Sequence, residues 1–278
     1  MFNRIKYLLK GLKLLVREPT WLEKMKTEKE MRLYIIKQYG FEKGLPTIDL
    51  LDLFPQFQEI INPYSCLEGA AQPTDLALLK GLAKKFKHCR YLEIGTWRGE
   101  SVANVADVAE ECVSIDLPEK EMKQDGFSDE FISCCRFYSK HLTNVKHIYH
   151  NSHTLDFSTL GKFDLIFVDG DHDSSEVESD TKKVFKVLRD DHSIIVWHDY
   201  GFTPEKIRWS VLAGILDGCP SQKEIQNIYH VSNTLCAIYT NQKFETKMTT
   251  FPTLPNKNFN IKLSASHIEG SIFKSQNL

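Results

Sequence analysis

Acids and histidines gather at the ends of two apolar runs, and these are the places where this chain could do chemistry. Phe163-Asp-Leu-Ile-Phe-Val-Asp-Gly-Asp-His172 ends in Asp169, Asp171 and His172, and Ile194-Ile-Val-Trp-His-Asp-Tyr200 ends in His198 and Asp199. If both runs are strands of one parallel sheet, these side chains meet at its carboxyl edge, where such sheets bind ligands. Two chemistries fit them. Asp169 and Asp199, with His198 or His172, could hold a hard divalent cation such as Mg2+ and leave positions for water and substrate. A hydroxyl bound there would become more acidic. Without a metal, His172 or His198 could serve as general base, with Asp171 in the same cluster.

A third run, Arg90-Tyr-Leu-Glu-Ile-Gly-Thr-Trp-Arg-Gly-Glu-Ser101, points to what binds beside them. Tyr91, Leu92 and Ile94 form a buried strand that breaks at Gly95 and turns through Thr96, Trp97 and Arg98. A helix restarts at Gly99, with Ser101, Val102, Val105 and Val108 behind it. Strand, glycine turn and helix start make a nucleotide-sized pocket lined by backbone N–H groups. Glu93 at the strand end repels a pyrophosphate and favours a sulfonium, an amino group or ribose hydroxyls. Dinucleotide folds place a middle glycine in G-x-G-x-x-G, where this chain has Trp97, which argues against a nicotinamide cofactor. Asp116 follows Val113-Ser114-Ile115 about 20 residues beyond the turn, where a carboxylate can accept from both ribose hydroxyls. The bland alternatives are a tight turn in any α/β protein and, for Asp116, a turn former.

The elements needed to position these residues are legible. Pro73 starts a helix running to about Lys87, and strands follow at 90–94, 112–115, 145–150, 163–168 and 193–197. The spacing predicts a strong helix over 175–188 and another over about 204–216. Short Ile and Val runs between helices indicate a parallel sheet covered on both faces. Glu224–Val231 and Leu235–Thr240 flank Ser232-Asn233-Thr234 as a β-hairpin, so the sheet ends antiparallel. Residues 117–141 are a charged and aromatic insertion. Upstream, residues 2–17 have amphipathic helical spacing, a second helix covers about 21–39 with Gly40 as its cap, and 41–72 wraps the main domain. The expected division is a helical extension and wrap over 1–72, a cofactor-binding domain over 73–241 and an extension over 242–278.

Taken together, Glu93-Ile-Gly-Thr-Trp-Arg-Gly-Glu-Ser101 and Val113-Ser-Ile-Asp116 resemble the first two motifs of class I S-adenosylmethionine-dependent methyltransferases. The E-x-G-x-x-x-G-x-S form is similar to the catechol O-methyltransferase-like branch. It is also similar to a bacterial group with macrolide sugar O-methyltransferases and cephalosporin hydroxylase-like proteins. The resemblance covers roughly residues 73–240. It implies an α/β, doubly wound, Rossmann-like sheet of seven mostly parallel strands with the last antiparallel. It also implies S-adenosylmethionine as cofactor, held by Glu93, Gly95, Thr96, Trp97, Gly99, Ser101, Asp116 and Asp169, with Asn151 and Ser152 near the adenine. Acidic metal ligands carry over by position to Asp169 and Asp199. Relatives follow with an Asp-Asn or Glu-Asp pair, whereas this chain has His198-Asp199-Tyr200, so the third ligand departs from the pattern. The implied reaction is methyl transfer to a hydroxyl of a small or glycan-like acceptor. A cofactor-binding module without transfer activity, and less favourably a nicotinamide-dependent oxidoreductase, are the alternatives.

Composition excludes other classes. The chain has 278 residues, 42% hydrophobic and 26% charged, with a net charge of −2. That balance gives no electrostatic footprint for nucleic acid. The seven cysteines are scattered, apart from Cys134-Cys135, without metal-ligand spacing, which fits reduced thiols in a cytoplasmic protein. No apolar stretch approaches the roughly 20 residues that span a bilayer, and lysines throughout residues 2–17 argue against a signal peptide. That basic helix could lie peripherally on an anionic membrane, dock on the domain or contact a second copy in a homo-oligomer.

Overall fold

A computed structural model describes residues 19–268. The amphipathic segment 2–17, and with it any membrane or partner contact it makes, lies outside the described residues. Helix α1 (Pro19–Tyr39) ends at Gly40, whose φ of +78° lets its N–H close onto the carbonyls of Ile35 and Ile36. Helix α2 (Pro73–Ala83) begins on a proline, and the Asp75 carboxylate accepts from the Gln72 N–H at 2.9 Å. Helices α3 (Glu100–Ala106), α4 (Ser174–Val184) and α5 (Trp209–Gly218) complete the covering layers.

Seven strands carry the domain: β2 (Arg90–Ile94), β3 (Glu111–Asp116), β4 (Val145–Tyr149), β5 (Leu165–Val168), β6 (Ile194–Trp197), β9 (Ile228–Val231) and β10 (Ala237–Tyr239). Their order is β4-β3-β2-β5-β6-β10-β9, and β10 runs antiparallel to both neighbours. The expected seven-stranded sheet with an antiparallel last strand is therefore present. Two additional strands extend it to nine: β1 (Thr47–Ile48) pairs with β9, and β11 (Thr246–Lys247) pairs with β1. Two residues cannot show a strand period, so neither was visible as sequence. They attach the segments before 73 and after 241 to one sheet edge.

A separate hairpin, β7 (Gly201–Thr203) with β8 (Lys206–Ile207), follows β6 directly. It occupies the start of the helix expected over 204–216, which begins instead at Trp209. The helix expected over 175–188 stops at Val184 and finishes as a 3-10 turn, Phe185–Val187. Among the described residues, no helix is long and apolar enough to cross a membrane.

Strand alternation decides what each face buries. Leu92, Ile94, Ile166, Val168, Ile195 and Trp197 pack against α4 and α5. Tyr91, Leu165, Phe167, Ile194 and Val196 pack against Leu78, Leu79 and Leu82 of α2 and Val102 and Val105 of α3. Each such side chain, fully buried, contributes about 1.5–3 kcal/mol from lost apolar hydration. Glu93 shares the face of Tyr91, so its carboxyl enters this second core. Across the first face, the Glu28 carboxylate accepts from the N–H groups of Trp209 and Ser210 at 2.7 and 3.1 Å. A side chain of α1 thereby caps α5.

Gly95 follows β2 and packs against the chain leaving β5. Its φ is +84°, and a Cβ there would stand 2.6 Å from the Asp169 carbonyl carbon and 2.9 Å from Gly170 Cα. Gly126, at φ +89°, has nothing within 4 Å of that position. Gly126→Ala should therefore cost only the backbone strain, about 1–2 kcal/mol. Gly95→Ala adds overpacking against main chain and should exceed about 3 kcal/mol. Urea midpoints of the two variants check the difference, and equal losses would contradict this account of the turn.

Candidate active site

Parallel register brings the candidate residues into one row. Ile94, Val168 and Trp197 are paired across β2, β5 and β6. The next residue of each strand is Gly95, Asp169 and His198, and the N–H groups of Asp169 and His198 continue the ladder onto Ile94 and Val168. Alternation points Asp169 and His198 to the same side as Phe167 and Val196, toward α2. Asp199 follows with φ +54°, a left-handed turn that leads the chain away from the sheet toward the β7–β8 hairpin.

His198 lies inside a ring of carboxylates. Its Nδ1 is 3.0 Å from Asp169 and 3.2 Å from Asp199, and its Nε2 is 3.2 Å from Asp75. Burial disfavours the charged ring, but the Asp169 charge and the hydrogen bonds from all three acids outweigh it. The pKa of His198 is raised well above the ordinary value. An imidazole that keeps both protons has no free lone pair, and in this arrangement His198 is the hydrogen-bond partner of the three carboxylates. It is a positioning group that holds Asp169 and Asp199.

His172 takes the place left open. Its Nε2 is 2.7 Å from Asp199 Oδ2, and its side chain is 47% exposed, so it can meet a substrate. Burial alone would raise the Asp199 carboxyl, but the bonds from His172 and His198 hold it far below the usual carboxylate range. Ligand atoms of Asp169, His172 and Asp199 lie within 4.8 Å of one another. Two carboxylates and one imidazole suit a divalent cation that tolerates mixed oxygen and nitrogen donors. Asp75, His198 and Cys236 have comparable spacing, all three are buried, and burial pushes the Cys236 thiol far above its ordinary value. Asp171 does not join either cluster: its Oδ1 accepts from the His172 and Asp173 N–H groups and serves the turn.

Glu93 faces the glycine turn from within the core. It is completely buried, its Oε2 accepts from Tyr91 Oη at 2.7 Å, and its Oε1 has no partner among the described residues. Burial raises its pKa to about 8, with the hydroxyls of Tyr91 and Ser101 opposing. A buried acceptor without a donor calls for a ligand or a strain account, and an ammonium or sulfonium group is a fitting partner. Thr96 and Ser101 are buried beside it, Thr96 hydrogen-bonding Ser114.

The 117–141 insertion folds back over this turn through two short helices, Glu119–Gln124 and Asp129–Cys134. Trp97 stacks on Phe131 with centroids 3.9 Å apart, and Arg136 N–H and Tyr138 N–H donate to the Trp97 and Arg98 carbonyls. Gly99, at φ +81°, lets Ser139 approach: a Cβ would sit 2.9 Å from Ser139 Cβ. Asp116 stands at the end of β3 as expected, but Arg136 donates to its Oδ2 at 2.9 Å. Burial raises the Asp116 pKa despite Arg136. Asn151 Oδ1 accepts from His153 N–H, and the Ser152 carbonyl accepts from Lys183, so both begin the loop after β4 by ordering it.

Three residues that hold the candidate groups had no sequence signal of their own. Asp75 reads only as a helix cap, Arg136 lies within the charged insertion, and Arg208, whose Nη2 is 3.3 Å from Asp199 Oδ1, reads as helix surface.

Two consequences can be measured. Glu93 has a folded pKa near 8 against an ordinary value near 4.3. Its contribution to stability is thus present below pH 4–5 and lost as pH rises toward 8, by up to about 1.4 kcal/mol per unit. Denaturation of wild type and Glu93→Gln from pH 5 to 8.5 should show this slope in the wild type minus variant difference; a flat difference contradicts the assignment. His198→Ala leaves three facing carboxylates without their cation and should cost about 3–5 kcal/mol at pH 7. A loss below 1 kcal/mol in the same assay would mean that the ring does not organise the cluster.

Residues 92–200 match the family model described as a methyltransferase domain. A search of curated proteins gave no match. Among solved structures, the SAH-bound methyltransferase PaMTH1 of Podospora anserina shares 20% identity at a TM-score of 0.43, covering 62% of this chain and 80% of its own. The O-methyltransferase of Bacillus cereus in complex with SAH shares 17% at 0.41, covering 62% and 82%. Over residues 92–200, which hold the glycine turn and both acid and histidine strand ends, this chain is similar to a methyltransferase domain.

Proposed function

We propose that this domain transfers the methyl group of S-adenosylmethionine to a hydroxyl oxygen of a small or glycan-like acceptor. The observation that carries this reading is the shared wall between the two halves of the site. Gly95, which opens the glycine turn, packs against the backbone of Asp169, and the Asp169 side chain belongs to the acid and histidine cluster. A methyl donor on the turn and a hydroxyl on the cluster would be neighbours, as direct transfer requires.

The cofactor supplies an electrophilic methyl on a sulfonium. Glu93 Oε1 offers an unsatisfied acceptor to its cationic methionine part, and Gly95, Thr96, Trp97, Gly99 and Ser101 shape the turn around it. Asp116, steadied by Arg136, retains lone pairs for the ribose hydroxyls. Asn151 and Ser152 begin the loop that would border the adenine.

On the acceptor side, Asp169, His172 and Asp199 would hold a divalent cation, which when bound lowers the pKa of a coordinated hydroxyl. The chain's own contribution is to fix these donors: His198 orients both carboxylates, and Arg208 holds the second oxygen of Asp199. In a metal-free site His172 Nδ1, the nitrogen not bonded to Asp199, would take the hydroxyl proton, and ionised Asp199 at Nε2 would stabilise the imidazolium so formed.

Calorimetric titration with S-adenosylhomocysteine tests the cofactor half. Binding to wild type and at least ten-fold weaker binding to Glu93→Ala are expected; no heat with wild type would overturn the reading. Methyl transfer to an acceptor panel with and without a chelator tests the other half. A loss of rate restored by Mg2+ or Mn2+ assigns the metal role, whereas unchanged turnover assigns the proton to His172.

A further inference from the structure

The β7–β8 hairpin follows the acid and histidine cluster in the chain, and Lys206 on it and Arg208 just after it bring positive charge to the cluster's border. Phe202 on β7 is 42% exposed. Lys206 Nζ lies 5.3 Å and Arg208 Cζ 4.5 Å from its ring centroid. Arg208 joins this ledge to the cluster, because one edge of its guanidinium meets Asp199 at 3.3 Å. Its Nε is buried without a partner, so the fork is only partly used. Lys206 is exposed and forms no ion pair among the described residues. The one acid inside the hairpin, Glu205, turns its Oε1 to the Thr253 N–H at 2.6 Å.

From this arrangement we infer that the methyl acceptor carries an anionic group, a carboxylate or a phosphate, that rests on Lys206 and Arg208 while its hydroxyl meets Asp169, His172 and Asp199. The inference rests on the methyltransferase reading above and adds the chemical class of the acceptor. Three features support it. The hairpin leaves β6 immediately after Asp199, so the ledge is covalently adjacent to the cluster rather than a remote surface feature. The ledge also resolves an electrostatic problem. Asp169, Asp171, Asp173 and Asp199 would repel an anionic acceptor, and a lysine and an arginine at one border of the cluster give its charge a place to bind and a direction. Both cations are held over one aromatic ring, which limits the rotamer freedom they lose on binding.

The test uses the full chain saturated with S-adenosylhomocysteine and matched probe pairs in calorimetric titration. 1,2-Dihydroxybenzene is compared with 3,4-dihydroxybenzoate, and glucose with glucuronate and with glucose 6-phosphate; the last two separate carboxylate from phosphate. At least one anionic probe should bind ten-fold or more tightly than its neutral partner. That ratio should fall at least five-fold in Lys206→Gln, be retained in Lys206→Arg, and shrink in 0.5 M NaCl. Equal affinities within every pair, no binding of any anionic probe, or an unchanged ratio in Lys206→Gln would overturn the inference. Failure of S-adenosylhomocysteine to bind in the first step would instead overturn the methyltransferase reading, so the two failures are distinct.

Discussion

One buried cation holds the catalytic edge of this fold together. His198 sits between carboxylates from three elements: Asp75 of α2, Asp169 after β5, and its own neighbour Asp199. Removing an imidazolium from water is unfavourable by several kcal/mol, and only close, hydrogen-bonded acids can offset it. The arrangement is reciprocal, since Asp75, Asp169 and Asp199 could not be crowded together without a positive charge among them. Asp75 extends the link, accepting from Leu235 N–H at 2.8 Å at the entrance to β10. Helix α2 and the ends of three adjacent strands are thus fixed by one side chain. Its role is to set the geometry of the groups that face the ligand, rather than to face it itself.

Around that anchor the site divides by chemistry. The cofactor half is made mostly of backbone: a left-handed Gly95 against β5, a left-handed Gly99 against Ser139, and an insertion whose N–H groups close on the Trp97 and Arg98 carbonyls. Its strongly polar elements are Glu93, kept in an apolar core with an unsatisfied oxygen, and Asp116, bonded to Arg136. The half proposed for the acceptor is made of charged side chains on strand ends and a hairpin, with His172 and Lys206 its exposed members. Backbone suits the first task because a common cofactor has a constant shape. Side chains suit the second, because orienting and deprotonating a hydroxyl requires groups that carry charge or protons.

The insertion has a larger part than its composition suggests. Arg136 places a guanidinium on Asp116 and lies 4.6 Å from the Tyr149 ring, and Phe131 covers Trp97. The bulky residue that argued against a dinucleotide is thus the attachment point for the lid-like segment above the turn. Trp97 adopts φ +47°, a conformation costly for a non-glycine residue and maintained here by the stacking and carbonyl contacts around it.

By itself the sequence determined the alternating elements, the antiparallel hairpin at the sheet end, the glycine turn, and the arrival of Asp169, His172, His198 and Asp199 at neighbouring strand ends. These are legible because periodicity and turn chemistry are local, and parallel register then places equivalent strand ends side by side. It left open which histidine holds its proton, which is free to act, and what partners Asp116 and Asp199. Only the tertiary structure decided these, because Asp75 lies 123 residues from His198 and Arg136 lies 20 from Asp116. A proton's affinity depends on burial and on charges brought close through space, and no local pattern records either.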